Sequence, residues 1–330
     1  MPTYKRFRVS KDQTVSYQIE NFEKPQPKEN EVLLSINYSS VNYKDALATR
    51  DNTGVLRYYP ITPGIDLAGT VLVSNHPDFE VGDTVIANGF DIGVAHDGGF
   101  SQLAVIPGEW LVHLPKNLSE KDAMIFGTAG FTAALAVDAL KKHGLNSDSR
   151  VLVTGATGGV GSFAIHFLKE LEIKNIIALS RKETKIDELK KLGASEVLQP
   201  QSFLPEKARP LSKQLFDFVI DSVGGDLLSQ LIPFVGYGGS LALCGNAAGI
   251  KLNTTVLPFI LRSVNLLGID SVNVPLEKRL PVWEELGNWQ VPETLTINTT
   301  TLEKLPDVAE SLLAGTHVGR TIVELNTPSV

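Results

Sequence analysis

Seven residues, from Gly155 to Gly161, hold four glycines between two apolar runs in the stretch VLVTGATGGVGSFAI. Glycine has no Cβ, so such a backbone serves a tight turn or lets a ligand come close to main-chain amides. The run before it, RVLVTG, reads as a strand, and the run after it, GSFAIHFLKEL, reads as a helix. A helix that opens on this loop turns its N-terminal amides, the positive end of its dipole, toward any bound phosphate. Thr157, Gly158, Gly159, Val160 and Gly161 are therefore candidate pyrophosphate-binding residues. The plain alternative is a close-packed strand–helix turn.

Three loop chemistries compete. A P-loop needs Lys and then Ser or Thr after its last glycine; Ser162 and Phe163 follow here, so that reading fails. The short-chain dehydrogenase pattern Thr-Gly-x-x-x-Gly-x-Gly fits residues 154 to 161, but it belongs near an N-terminus and needs a Tyr-x-x-x-Lys pair that this chain lacks. The remaining option is a dinucleotide loop with its first glycine replaced, Ala156-x-Gly158-x-x-Gly161. The next strand, NIIALS, ends where an acid would bind the ribose of NAD. Ser180, Arg181 and Lys182 stand there instead. A 2′-phosphate is attracted by such cations and repelled by an acid, which favours NADP(H).

The elements that must position this loop follow from the pattern. From residue 150 to about 270, strand-like and helix-like runs alternate: RVLVTG, GSFAIHFLKEL, NIIALS, ETKIDELKKLG, FDFVID and GGSLALCG. In the fourth, Ile186, Leu189 and Leu192 mark one helix face and Gly193 stops it. Such alternation predicts a doubly wound parallel sheet. Residues 1 to about 125 read instead as short strands with turns, among them EVLLSINYSSVN, PGIDLAGTVLVS, EVGDTVIA and GGFSQLAVIP, with no long helix. TLEKLPDVAESLLAG reads as a helix and GRTIVEL as a last strand; QPQSFLPEKARP carries the densest loop signal.

A length of 330 residues predicts two domains. The net charge of −7 argues against a nucleic-acid partner. No uninterrupted run of eighteen apolar residues suggests a membrane span, and the start MPTYKRFRVSKDQ is no secretory signal. A single cysteine, Cys244, excludes an internal disulfide and a multi-cysteine zinc site, so a cytoplasmic protein is expected. Cys244 reads as a small hydrophobe on a strand.

With a nucleotide-binding domain lying second, the chain resembles the medium-chain dehydrogenase/reductase superfamily. The motifs SSVNYKDALA, PGIDLAGTV, FGTAGFTAALAV, VTGATGGVGS, YGGSLALCGNAAG, PFILRSVNLLGIDSV and GRTIVEL are similar to its zinc-independent acrylyl-CoA reductase and putative quinone oxidoreductase branch. The resemblance implies a GroES-like β-rich catalytic domain, residues 1–124 completed by 272–330. It also implies a Rossmann domain over 125–271, a cleft between the two, and a homodimer. In zinc-using relatives the metal is held at positions that here are Asn42, Ile65 and Ile125, none of which is a thiolate or imidazole. No zinc is therefore expected, and reduction of an electron-poor double bond suits such a site better than alcohol oxidation.

The resemblance further implies NADPH-dependent reduction of an α,β-unsaturated acyl-CoA, with Asn42 and Tyr43 as polar groups at the reacting centre. Tyr43 is read either as a proton donor or as a cofactor contact. Lys44 is a cofactor contact unless it pairs with Asp45, and Asp66 orients Asn42 or Lys44. Without the resemblance, NYKD is a polar turn with Asp45 near a helix cap. Thr128, Asn246 and Arg320 complete the implied cofactor set, Arg320 at the pyrophosphate. Arg262 and Asp270 are left between a dimer role, a CoA role and helix-end charge. Glu196 departs from the branch, where a basic residue can help hold the 2′-phosphate. Two alternatives stand beside the enoyl-CoA reading: NADPH:quinone reduction, and an NADPH-binding protein without turnover.

Overall fold

The computed structural model describes residues 3–205 and 209–325, so part of the proline-rich loop signal, at 206–208, lies outside the described residues. The chain divides into two units. One runs up to Thr128 and takes in Val272–Val291 and the chain from Thr296 onward; the other is Ala129–Ser271 with Pro292–Leu295.

The first unit opens with β1 (Tyr4–Lys11) and β2 (Val15–Phe22), an antiparallel pair that the sequence reading did not separate. β3 (Glu31–Val41) follows, then α1 (Tyr43–Leu47), β4 (Asp66–Ser74), β5 (Thr84–Asn88), β6 (Leu103–Pro107) and the two-residue β7 (Val112–His113). Val32, Leu33 and Leu34 on β3 are all fully buried, because separate hydrophobic clusters cover the strand, one taking Val32 and Leu34 and the other Leu33. α2 (Glu120–Lys142) is broken at Gly127, whose φ of 49° and ψ of −156° are not helical. The residue pattern does not mark this long helix, but the resemblance implies a helix start at Thr128, directly after the break. α2 is the one described helix long and apolar enough to cross a membrane on length and composition alone, but 78% of that stretch is buried, as in a core helix.

The second unit alternates as predicted. It contains β8 (Arg150–Val153), α3 (Gly159–Glu170), β9 (Asn175–Leu179), α4 (Ile186–Leu192), β10 (Glu196–Leu198), β11 (Phe216–Asp221), α5 (Gly225–Leu231), β12 (Val235–Leu243), α6 (Leu257–Arg262) and β13 (Asn265–Gly268). These strands form a six-stranded sheet in the order β10-β9-β8-β11-β12-β13, with every pairing parallel. Gly193 ends α4 with φ 138° and donates to the carbonyls of Leu189 and Lys190. β10 and α5 were absent from the sequence reading; at three and seven residues they carry too little pattern to be read.

The chain then returns to the first unit with α7 (Leu276–Asn288), β14 (Ile297–Thr300), α8 (Leu305–Leu313) and β15 (Arg320–Glu324). Its seven-stranded sheet runs β14-β15-β3-β4-β5-β7, with β6 added on β3. The C-terminal strands thus complete a sheet begun by the N-terminal ones: β15 lies antiparallel to β3, with Thr321 opposite Val41.

Candidate functional site

The strand order of the parallel sheet reverses between β8 and β11, and ligands of such sheets bind at that reversal, beyond the strand ends. The glycine loop sits there. Gly155 has φ 57°, and a Cβ on it would lie 2.4 Å from Ser222 Oγ. A Cβ on Gly161 would lie 2.4 Å from the Gly155 carbonyl oxygen, so α3 can start this close to β8 only with glycine. Gly158 is the extended N-cap of α3 and supplies no side-chain cap. The amides of Gly159, Val160 and Gly161 consequently have no acceptor among the described residues. These uncapped donors at the start of α3 fit a pyrophosphate.

The loop is tied down by a residue that the sequence did not reveal. Asp221, last on β11 and fully buried, accepts from Thr154 Oγ1 at 2.6 Å and from the Gly224 amide at 2.8 Å. Burial pushes its carboxyl above the usual range, against those hydrogen bonds. Cys244 donates to the Asp221 carbonyl at 3.2 Å and its thiol is pushed up to about 12 by burial, which makes it a poor nucleophile.

Beyond β9, Ser180 is buried and its hydroxyl accepts the Lys182 amide at 3.0 Å, which shapes the turn. Arg181 is exposed and has no partner among the described residues. Glu196 begins β10 and is exposed. Asn246 is exposed in the turn after β12. Arg262 ends α6 and is no free cation: it donates to the carbonyls of Ser212, Pro233 and Val235.

In the β-rich unit, neighbouring strands bring one polar group each to a single point. Arg320 starts β15, Ser40 lies near the end of β3, Asp66 starts β4, and Asn88, its register partner, ends β5. Asn42 follows β3 directly. Asp66, fully buried, accepts from Ser40 Oγ at 2.5 Å, Asn42 Nδ2 at 2.7 Å, the Thr128 amide at 2.9 Å and Thr128 Oγ1 at 2.5 Å. Arg320 donates to the carbonyls of Ile125 and Val41, to Asn42 Oδ1 at 3.2 Å and to Ser40 Oγ at 3.1 Å. Gly127 closes the cluster: a Cβ there would lie 2.6 Å from Asp66 Oδ2 and 2.7 Å from Ser40 Oγ.

The network continues from Thr128 to Asn88 Nδ2 at 3.5 Å. The oxygen of that amide accepts Arg279 Nη1 at 2.7 Å and Trp283 Nε1 at 3.3 Å. Asp45, buried, accepts the amides of Asn42, Gly64 and Ile65. Its carboxyl is pushed up to about 7, first by burial and then by the charge of Asp66, against those hydrogen bonds. Burial lowers Arg320 from its ordinary value while both carboxylates raise it.

Four predicted residues thus meet in this cluster: Asn42, Asp66, Thr128 and Arg320. The Asn42 amide is used at both ends, its second hydrogen going to Ser40 Oγ at 3.3 Å. Tyr43 and Lys44 stand apart: Tyr43 is 44% exposed, and neither side chain has a partner among the described residues. Asp45 binds backbone amides rather than Lys44. Ser40, Asn88 and Arg279 were missed, since nothing in their spacing marks them, whereas Asp45 stands in the capping box of α1, near the helix cap where NYKD places it. No group of three His, Cys, Asp or Glu among the described residues could hold a metal. A cavity of about 340 Å³ elsewhere in this unit is lined by Arg6, Lys28, Tyr58, His96 and Asp97, and no predicted site residue lines it.

Residues 28–116 match the alcohol dehydrogenase GroES-like domain, and residues 159–286 match the zinc-binding dehydrogenase family. The chain is 45% identical to the putative quinone oxidoreductase YhfP of Bacillus subtilis, over 89% of this chain and 90% of that one. The crystal structure of B. subtilis yhfP with NAD bound superposes with a TM-score of 0.94 at 41% identity, covering 98% of this chain and all of the other. Acrylyl-CoA reductase AcuI of Ruegeria pomeroyi is 43% identical over 90% of each chain. The yhdH oxidoreductase of Salmonella enterica in complex with NADP gives a TM-score of 0.92 at 39% identity, over 98% of this chain and all of that one. The chain belongs to the medium-chain dehydrogenase/reductase superfamily, in the branch of YhfP, YhdH and AcuI, and is an oxidoreductase.

Proposed function

We propose that this oxidoreductase uses NADPH to reduce the carbon–carbon double bond of a short α,β-unsaturated acyl-CoA such as acrylyl-CoA. The observation that carries the reading is the uncapped start of α3, three amides without acceptors behind Gly158, with Arg181 and Lys182 one strand further on. The 43% identity to an acrylyl-CoA reductase supports the choice of thioester.

Bound NADPH supplies a hydride for the β-carbon. The chain's residues do the rest. Loop amides and the α3 dipole hold the pyrophosphate, and Arg181 and Lys182 meet the 2′-phosphate. Lys44 and Asn246 are further cofactor contacts. A conjugated thioester carries the developing charge on its own oxygen until a proton is taken up at its α-carbon, so it needs a hydrogen-bond donor rather than a metal. Tyr43 is that donor, because its hydroxyl is exposed and unpartnered while Asn42, Thr128 and Asp66 are consumed within their cluster.

The 45% identity to a putative quinone oxidoreductase supports a second reading, in which a quinone takes the same hydride. The test follows NADPH oxidation in its near-ultraviolet band with acrylyl-CoA, crotonyl-CoA and a benzoquinone. Turnover of the thioesters is expected; turnover of the quinone alone overturns the first reading for the second. We further propose a cytoplasmic homodimer that covers Ile250, Val256, Ile260 and Leu261, which are 57–86% exposed in the second unit.

A further inference from the structure

Tyr43 lies between two anchored residues. Asn42, before it, is held through its side chain by Asp66 and Arg320. Asp45, two residues after it, acts on backbone instead. One carboxylate oxygen accepts the Asn42 amide at 2.8 Å, which makes Asn42 and Asp45 a capping box around Tyr43 and Lys44. The other oxygen accepts the amides of Gly64 at 3.2 Å and Ile65 at 3.0 Å. One buried side chain therefore joins the first turn of α1 to a distant stretch of main chain.

That stretch has little freedom. Gly64 has φ 100°, and a Cβ on it would lie 2.6 Å from the Phe100 amide nitrogen. The Gly64 carbonyl accepts the Gly99 amide at 2.7 Å and the Pro63 carbonyl accepts that of Phe100 at 3.0 Å. By contrast, α1 has only five residues, too few to hold its own orientation by helical hydrogen bonds. The rigid partner in this pair is the 63–65 backbone, and the element being oriented is α1.

We propose that Asp45 is a positioning residue for the reduction: by fastening the start of α1 to the Gly64–Ile65 backbone, it sets where the Tyr43 hydroxyl is presented. This rests on Tyr43 as the donor of the proposed function. Asp45 acts at a distance from the reactants, through the helix start that it holds.

The experiment is a double-mutant cycle of Y43F and D45N at pH 8, with kcat counted per bound NADPH and both acceptors tried. Asn keeps an oxygen for Gly64 and Ile65 but turns a donor toward the Asn42 amide, or the reverse. D45N is expected to lower kcat about tenfold with KM for NADPH within about twofold. In the Y43F background, D45N should change kcat less than about twofold. Hydrogen exchange should quicken at residues 42–46 and 64–65. Should D45N fail to fold, D45E takes its place in the cycle, with the same expected loss because the carboxylate no longer fits. Wild-type kcat in D45N or D45E, wild-type kcat in Y43F, or an equal loss in both backgrounds overturns the proposal. A wild-type protein that oxidises NADPH with neither acceptor defeats the functional reading instead. Exchange then decides the clamp: unchanged protection at those amides overturns it, and loss of protection upholds it.

Discussion

The glycine cradle and the buried polar cluster each fix a handful of polar groups in space, by opposite means. The cradle is made of main chain: consecutive amides at the start of α3, which a bare Gly161 lets pack close to β8. The cluster is made of side chains from β3, β4, β5, α2, α7 and β15, closed so tightly that Asn42, Asp66, Arg279 and Arg320 are all under 10% exposed. One region leaves its donors unsatisfied for a ligand, and the other satisfies nearly all of its own. Changes in the cradle should therefore alter cofactor affinity, and changes in the cluster should alter stability.

The largest effect expected is in the cluster. R320A removes the donors of Asn42, Ser40, Val41 and Ile125 and leaves buried carboxylates without their cation. Breaking a buried charge network this way costs about 3–5 kcal/mol, to be read from the urea unfolding midpoint. An unchanged midpoint would break the contrast. Next, G161A puts a Cβ against the backbone of Gly155 and Ala156, at 2.4 and 2.8 Å. Overpacking should cost about 1–3 kcal/mol in unfolding, and because it pushes the start of α3 away from β8, NADPH binding should also weaken, roughly tenfold in a fluorescence titration.

R181A sharpens the cradle side further. NADPH affinity should fall about tenfold while NADH affinity stays constant, since only the 2′-phosphate loses a partner. Equal changes for both cofactors would remove Arg181 from the 2′-phosphate site.

The smallest effect per step is a pH slope from Asp45. Its carboxyl is pushed up to about 7 in the fold, while an unfolded Asp titrates near ~3.9. Between those values the folded state holds a proton that the unfolded state has lost. Stability from this group is thus fully present below about pH 4 and is lost as pH rises to about 7. Relative to D45N, wild-type stability should drop on the order of 1 kcal/mol per pH unit across that window and level off above it. A flat difference from pH 4 to 8 would show that Asp45 is ionised throughout.

The two regions also differ in how far they could be read in advance. The cradle is contiguous, so glycine spacing between a strand pattern and a helix pattern was enough to find it, and the alternating runs around it gave the parallel sheet. In the cluster, Asp66 and Asn42 were reached only through family resemblance. The sequence offers Asp45 as a partner for Lys44 or as a residue near a helix cap; its carboxylate takes the capping amide of Asn42 and also those of Gly64 and Ile65, which local pattern does not reveal. Arg279 sits in an amphipathic helix where any arginine would look solvent-facing, yet it is fully buried against Asn88.

By itself, the sequence determined the features whose physics is local. These are the two kinds of element pattern, the bare backbone at 155–161, the cations after β9, and the lack of thiolate or imidazole at positions 42, 65 and 125. Tertiary structure alone decided which charges are buried and with which they balance. That choice depends on strand register bringing Arg320, Ser40, Asp66 and Asn88 to one end of a sheet, and on a glycine kink making room for them. Hydrogen bonds between residues up to 280 positions apart leave no periodic trace in the chain, because only the fold sets their distance.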